Sequence, residues 1–337
     1  MKKYNIAIIG ATGNVGREML NILIERKFPV NNIELLASEQ SKGKILGFGR
    51  KKLKVKSLND FNFTSTDIVL SSPGSEISKK FVPIAASQGA VVIDNTSFFR
   101  MNRNIPLIVP EVNSEDIVNY KKKGIIANPN CSTIQMVMAL KPIHDFFGIK
   151  RVVVSTYQST SGAGKQAMDE LFHQTLNVYK NKPLNKKIFT KRIAFNLIPH
   201  IDDFIENGQT KEEEKMVKET KKILDNKISV FATCVRVPVF VGHGESINIE
   251  TKKTINLEKV LELMEKTPGI KLVDRREDGG YVTPDETAGE DDVFVSRVRI
   301  DNSVKNGLAF WVVADNLRKG AALNSIQIAE ELIKKYI

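Results

Sequence analysis

The sequence predicts an α/β protein of two domains, a parallel sheet with crossover helices followed by an α+β half. Three observations carry this reading. The length of 337 residues is about twice that of a typical domain. The first 130 residues alternate strand-like and helix-like runs, as a parallel sheet requires. The run Gly10-Ala11-Thr12-Gly13-Asn14-Val15-Gly16 joins the first strand to the first helix, where a Rossmann-like domain holds a dinucleotide.

The elements follow in order. Residues 4–9 form a short apolar strand, and 15–27 place Val15, Met19, Leu20, Leu23 and Ile24 at helical spacing. Strands are expected at 33–37, 67–70 and 90–94, with a helix over 75–87 and a polar loop at Asn95-Thr96-Ser97. Residues 124–127 lead into Asn128-Pro129-Asn130-Cys131, and 134–147 reads as a helix. From Arg151 the chain turns β-rich, with strands at 152–157, 230–241, 247–254, 293–300 and 308–313. Helices over 165–179, 211–224 and 257–266 interrupt them, and few hairpin signals occur, so this half is α+β. The amphipathic run 321–336 is expected to return to the first domain. The domains are therefore 1–130 plus about 318–337, and 131–317. The stretch 275–292, rich in Gly, Asp and Glu, is the expected mobile loop.

Composition excludes several classes. Hydrophobic residues make up 42% and charged residues 26%, as in ordinary globular proteins. Two cysteines, Cys131 and Cys234, stand far apart without a CxxC pattern, which argues against a disulfide framework and a metal site. No run approaches the roughly 18 apolar residues of a membrane helix. The N-terminal apolar run ends too early for a signal peptide, so a cytoplasmic location without membrane contact is expected. The net charge of +11 is spread among nearby acids, and aromatics are 7%, so nucleic acid is not an expected partner. A basic balance suits an anionic small-molecule substrate.

Two motifs carry chemistry. The glycines allow a tight turn, a close approach to pyrophosphate and close helix packing, and the helix start offers N–H groups to phosphate. The spacing is GxxGxxG, and the bland alternative is a helix-capping loop. The second strand ends in Ala37-Ser38-Glu39-Gln40-Ser41-Lys42, where small and hydroxyl side chains leave room for a 2′-phosphate, favouring NADP. Cys131 lies near a helix start, a position that stabilises thiolate, and its neighbours Asn130, Ser132 and Thr133 are polar. Cys234, mid-strand, reads as core filler. Among the histidines, His144 and His173 sit in helical runs and His200 in a loop. His243 lies between glycines beside a strand, able to reach a cleft.

Taken together, the motifs resemble aspartate-semialdehyde dehydrogenase of the bacterial type. The resemblance runs through the glycine run, Asp94-Asn95-Thr96-Ser97-Phe98-Phe99-Arg100, Val109-Pro110-Glu111-Val112-Asn113 and Asn128-Pro129-Asn130-Cys131-Ser132-Thr133. It continues through residues 156–164, Glu212-Glu213-Glu214-Lys215, Arg236-Val237-Pro238-Val239 and residues 314–322. It implies NADPH-dependent reduction of L-4-aspartyl phosphate to L-aspartate 4-semialdehyde with release of phosphate. In that scheme Cys131 is the nucleophile, Gln158 orients the acyl group and His243 is the acid/base. Arg100, Lys215 and Asn130 hold phosphate, Arg236 the α-carboxylate and Glu212 the α-amino group. Gly10, Thr12, Gly13, Asn14, Val15, Ser38, Ser41, Gly162 and Asn316 fall to the cofactor, no metal is implied, and the second domain forms a homodimer or homotetramer. Three departures stand out: Gln40 where the family often has arginine, Glu214 beside Lys215, and the loop Ser71-Ser72-Pro73-Gly74. Two other readings are an N-acetyl-glutamyl-phosphate reductase and a silent nucleotide-binding scaffold. Against them stand the pairing of Glu212 with Arg236 and the presence of both Cys131 and His243.

Overall fold

Strand β1 (Tyr4–Ile9) is apolar enough to be buried on both faces, and parallel partners flank it. The computed structural model describes residues 2–337 and divides into two units, Met1–Asn130 with Ala321–Ile337, and Cys131–Gly320.

In the first unit, β1 leads through the glycine run into α1 (Asn14–Glu25) and β2 (Val30–Ala37). A small hairpin, β3 (Ile45–Phe48) and β4 (Lys51–Lys54), precedes β5 (Lys56–Ser57). Then come β6 (Ile68–Ser71), α2 (Ser75–Ser87), β7 (Val91–Asp94), the short α3 (Pro110–Asn113) and β8 (Ile125–Ala127). The six-stranded sheet is parallel, in the order β5-β2-β1-β6-β7-β8. Chain order reverses between β1 and β6, so the crevice for a ligand opens at their carboxyl ends.

The second unit begins with α4 (Cys131–Phe147), followed by β9 (Ile149–Gln158), α5 (Lys165–Tyr179), α6 (Lys211–Ile223) and β10 (Ser229–Arg236). Next are β11 (His243–Thr251), α7 (Leu257–Lys266), β12 (Ile270–Leu272), β13 (Val293–Asp301) and β14 (Gly307–Ala314). Its sheet runs β10-β9-β11-β14-β13-β12; the β9–β10 and β12–β13 pairs are parallel and the others antiparallel. Helix α4 packs on β9, β11, β13 and β14, and α6 packs on β10 and α4. The chain then returns to the first unit as α8 (Leu323–Lys335), whose Leu323, Ile326 and Leu332 join Ile8, Met19, Leu23 and Leu70 in one core.

Several boundaries differ from the sequence reading. Strand β10 stops at Arg236 because Pro238 has no N–H to continue a ladder. Strand β11 starts four residues early, since His243 and Gly244 pair with Ala314 and Val313. Helix α4 starts at Cys131 itself, three residues before its apolar run. The β3–β4 hairpin escaped because Lys51-Lys52-Leu53-Lys54 hides any alternation. Stretch 275–292 is pinned in places: Arg275 N–H donates to the Gly280 carbonyl, and Gly289 N–H to Asp315 Oδ2 at 2.8 Å.

Candidate active site

The first unit offers a site made mainly of backbone. Gly10 has φ +83°, and a Cβ there would come within 2.6 Å of the Ser72 carbonyl oxygen. Gly16 packs on the same turn: its Cβ would stand 2.4 Å from the Gly10 oxygen. Gly13 caps α1 without a side chain, and the first helical turn carries no acidic residue. The N–H groups at this helix start therefore face the crevice with a positive dipole end and no carboxylate to repel an anion. Ser72 belongs to the departing loop 71–74, whose backbone thus closes against Gly10.

Beside the crevice, Ser38 is exposed and Ser41 is buried. Thr12 Oγ1–H donates to Ser41 Oγ at 3.5 Å, and Lys44 Nζ donates to the same oxygen at 3.2 Å. Lys42 Nζ takes Glu39 in an ion pair of 2.7 Å, which lowers the Glu39 carboxyl below its ordinary value. Glu39 is thereby offset while Lys44 stays over the hydroxyls. Sequence reasoning missed Lys44; the signal was a lysine just beyond the Ser41-Lys42-Gly43 turn. In the same unit Arg100 is buried, with Nε donating to the Asn128 carbonyl at 2.9 Å and Nη2 to the Asn95 carbonyl at 2.8 Å. Asn130, at the unit's edge, is also buried.

The second unit offers a site made of side chains. In a strand alternate residues share a face, and the inward faces of β9, β10 and β11 carry the polar groups. Arg236 pairs in register with Gln158, and Gly244 lies opposite Tyr157, which brings His243 level with Gln158. Arg236, Gln158 and His243 thus form one row across three strands, at 6%, 1% and 0% exposure. Gln158 Nε2–H donates to Glu212 Oε1 at 3.0 Å, and Lys215 Nζ donates to Glu212 Oε2 at 3.1 Å.

The three glutamates opening α6 divide their labour. Glu212 turns to the row. Glu213 closes a capping box with Thr210 and accepts from Cys234 N–H at 3.1 Å. Glu214 pairs with Lys218 at 2.7 Å on the helix surface, so it does not compete for Lys215. Burial works against the charge on Lys215, but Glu212 and Asp202, the latter 2.7 Å away, outweigh it and raise its pKa. Burial lowers Arg236 despite attraction from Glu212 and Cys131. The Arg236 Nη1–H donates to the Ser159 carbonyl at 2.7 Å.

His243 is held in one tautomer. Ser159 N–H donates to Nδ1 at 3.1 Å, so the neutral ring carries its proton on Nε2. That Nε2 is buried and has no hydrogen-bond partner among the described residues. Burial, reinforced by Arg236, pushes the imidazole down to about 3, so at neutral pH it is an N–H donor and not a cation. Gly162 lies against both heads: a Cβ there would stand 3.1 Å from Arg236 Nη1 and 3.2 Å from His243 Nε2.

Cys131, the first residue of α4, is half-buried, and a Cβ on Gly320 would reach within 2.8 Å of its own Cβ. Cys234 is fully buried beside Met216, and burial raises its thiol strongly, the mark of an inert core cysteine. Asn316 Oδ1 accepts from Ser159 Oγ, Ser161 Oγ and Gly242 N–H at 3.0, 3.1 and 2.9 Å, so its side chain braces the loop that carries Gly162. Among the described residues no metal-holding cluster exists, and no helix is long and apolar enough to cross a membrane.

Comparison with known proteins decides the family. Residues 5–120 match the family described as semialdehyde dehydrogenase, NAD binding domain, and residues 140–319 match semialdehyde dehydrogenase, dimerisation domain. Aspartate-semialdehyde dehydrogenase of Rickettsia bellii is 52% identical over 336 residues, covering 100% of this chain and 99% of that protein. The Aquifex aeolicus enzyme is 54% identical over 335 residues, covering 98% of each. The chain belongs to the aspartate-semialdehyde dehydrogenase family. The crystal structure of aspartate semialdehyde dehydrogenase II complexed with ASA from Vibrio cholerae gives a TM-score of 0.98 at 51% identity, covering 100% of both chains. That of Candida albicans with NADP gives 0.77 at 25% identity, covering 98% and 99%. As an aspartate-semialdehyde dehydrogenase the chain is an oxidoreductase of amino-acid biosynthesis, linking L-4-aspartyl phosphate to L-aspartate 4-semialdehyde. Neither the N-acetyl-glutamyl-phosphate reductase reading nor the silent scaffold is favoured.

Proposed function

We propose that this dehydrogenase uses NADP and works through a thioacyl intermediate on Cys131. The observation that carries the proposal is the placement of Arg236, Gln158 and His243 on one buried sheet face with Glu212 of α6 bonded to it, in the unit whose first residue is a cysteine at a helix N-terminus. The glycine turn fits a dinucleotide, since side chains at Gly10 or Gly16 would fill it. Gly10, Thr12, Gly13, Asn14 and Val15 would hold the pyrophosphate, and Ser38, Ser41 and Lys44 the 2′-phosphate. Gly162 and Asn316 are assigned to the cofactor as well, Asn316 also holding the loop. Bound there, the cofactor supplies the hydride.

The chain's residues do the rest. Arg236 receives the substrate α-carboxylate through a charge-assisted fork, and Glu212 the α-ammonium. Arg100, Asn130 and Lys215 hold phosphate, Lys215 exchanging its ion pair to Asp202 for it. Thiolate of Cys131 forms a C–S bond with the acyl carbon, the carbonyl electrons move to oxygen, and the oxyanion's collapse breaks the C–O bond to phosphate. Gln158 orients the acyl group. His243 offers Nε2–H to the oxyanion, and to the thiohemiacetal oxyanion whose C–S cleavage releases aldehyde and thiolate. The family's dimerisation domain spans the second unit, and we propose a homodimer or a dimer of dimers built on it.

The test is semialdehyde oxidation with NADP or NAD, with and without phosphate, in the native enzyme and in Cys131→Ala. Phosphate-dependent turnover with NADP preferred, lost in Cys131→Ala while NADPH still binds, is expected. Turnover surviving in that variant overturns the nucleophile, and a preference for NAD overturns the cofactor assignment.

A further inference from the structure

One buried ionisable group lies beside the proposed nucleophile and has no part in the steps above. Glu245 sits two residues after His243 on β11, on the same inward face as Ile247 and Ile249, where alternation calls for an apolar side chain. It is 0% exposed. Its register partners are Thr156 on β9 and Val312 on β14, which places it one row behind the Arg236, Gln158 and His243 row. Toward α4 it faces Ser132 and Gln135, the residue after Cys131 and the residue one turn on. Neither carboxyl oxygen reaches full hydrogen-bond geometry in the resting structure. Gln135 instead gives its Nε2–H to the His243 carbonyl at 3.2 Å.

We propose that Glu245 is a positioning residue: its fully buried side chain, one row behind His243 and turned toward Ser132 and Gln135, fixes the Cys131 turn of α4 against the strand that carries His243. An ionised carboxylate would be poorly compensated there, because the groups acting with it, Ser132 and Gln135 on α4 and Cys234 on β10, carry no positive charge. Burial accordingly raises its pKa well above that of an ordinary glutamate. Neutrality has a second consequence. A negative charge beside Ser132, the residue after Cys131, would disfavour thiolate, whereas a neutral acid carries no such cost. A buried polar group without ideal partners is a feature natural cores keep for a reason, and here it sits on the strand that presents His243 and faces the helix that begins with Cys131.

The inference rests on Cys131 as the nucleophile, and the experiment separates the two. Glu245→Gln, which keeps shape and neutrality, and Glu245→Met, which keeps volume without polarity, are compared with the native full-length enzyme. Turnover and the pH profile of Cys131 alkylation by iodoacetamide are read for each. Glu245→Gln is expected to keep kcat within about twofold and an unmoved alkylation profile. Glu245→Met should lose roughly tenfold or more in kcat, since displacements near an ångström at a reacting group have such effects. Its KM for the nucleotide should stay unchanged while its alkylation midpoint moves. Native kcat and profile in Glu245→Met overturn the inference, and so does a folded Glu245→Gln that loses activity. Alkylation that leaves the native enzyme active would instead overturn the nucleophile assignment.

Discussion

On the proposal above, the two units hold their ligands by opposite means. The nucleotide crevice is built of main chain: Gly10 and Gly16, where a Cβ would collide with backbone, and a helix start with no capping side chain. The proposed acyl site is built of side chains: strand register aligns Gln158, Arg236 and His243, and a hydrogen bond ties Glu212 to Gln158. A main-chain site is local and tolerates change around it. A side-chain site depends on a whole sheet, and each member is tuned by the others, as Arg236 is by Glu212 and His243 by Arg236.

That contrast can be broken in order of effect. Arg236→Ala removes a buried charge that faces Glu212, for which losses of about 3 to 5 kcal/mol are usual. A fall of about a hundredfold or more in kcat/KM for the semialdehyde is expected, with NADPH affinity unchanged in a fluorescence titration. Gly16→Ala attacks the other unit. Its methyl would meet the Gly10 oxygen at 2.4 Å, and overpacking of that kind costs about 1 to 3 kcal/mol. Nucleotide affinity should fall roughly tenfold or more while Cys131 alkylation keeps its native rate. Equal damage to both readouts in either variant would dissolve the distinction between the sites.

A milder change sharpens the cradle. Lys44→Met should raise the Kd for NADPH by about tenfold and leave that for NADH alone, since one charge-assisted contact is lost. An equal change for both nucleotides would remove Lys44 from the 2′-phosphate.

A pH-dependent effect concerns His243. Its folded pKa of about 3 lies below the ordinary 6.5, so between those values the unfolded chain binds the extra proton. Its contribution to stability is fully present above about pH 6.5 and is lost as pH falls towards 3, at a slope of up to about 1.4 kcal/mol per pH unit. His243→Gln should flatten urea unfolding midpoints over that window. Identical profiles for both proteins would show that the imidazole is not held neutral by the fold.

The same contrast explains what the sequence could disclose. The cradle is contiguous, so Gly10, Gly13 and Gly16 could be read as a strand–turn–helix unit. Cys131 was visible through its polar neighbours, although its place as the first residue of α4 was not, because apolar periodicity begins only at Ile134. Within the row, His243 was readable from its flanking glycines, whereas the roles of Gln158 and Arg236 came by resemblance, since they meet through a parallel pairing of strands some 70 residues apart. The bracing of Asn316 by Ser159, Ser161 and Gly242 is likewise a tertiary fact. Glu245 was passed over because its meaning lies in burial, although a glutamate on the apolar alternation of His243, Ile247 and Ile249 was a readable anomaly. Lys44 looked like one more surface lysine in a chain with 50 basic residues.

At the centre of the proposal is acyl chemistry on Cys131 of one unit, with the cofactor's phosphates held by the other. Mixing enzyme with L-aspartate 4-semialdehyde and NADP in the absence of phosphate tests it most directly. A burst of about one equivalent of NADPH per Cys131 is expected, with mass added to the Cys131 peptide and turnover resuming when phosphate is supplied. No burst, or a burst that persists in Cys131→Ala, would contradict the account.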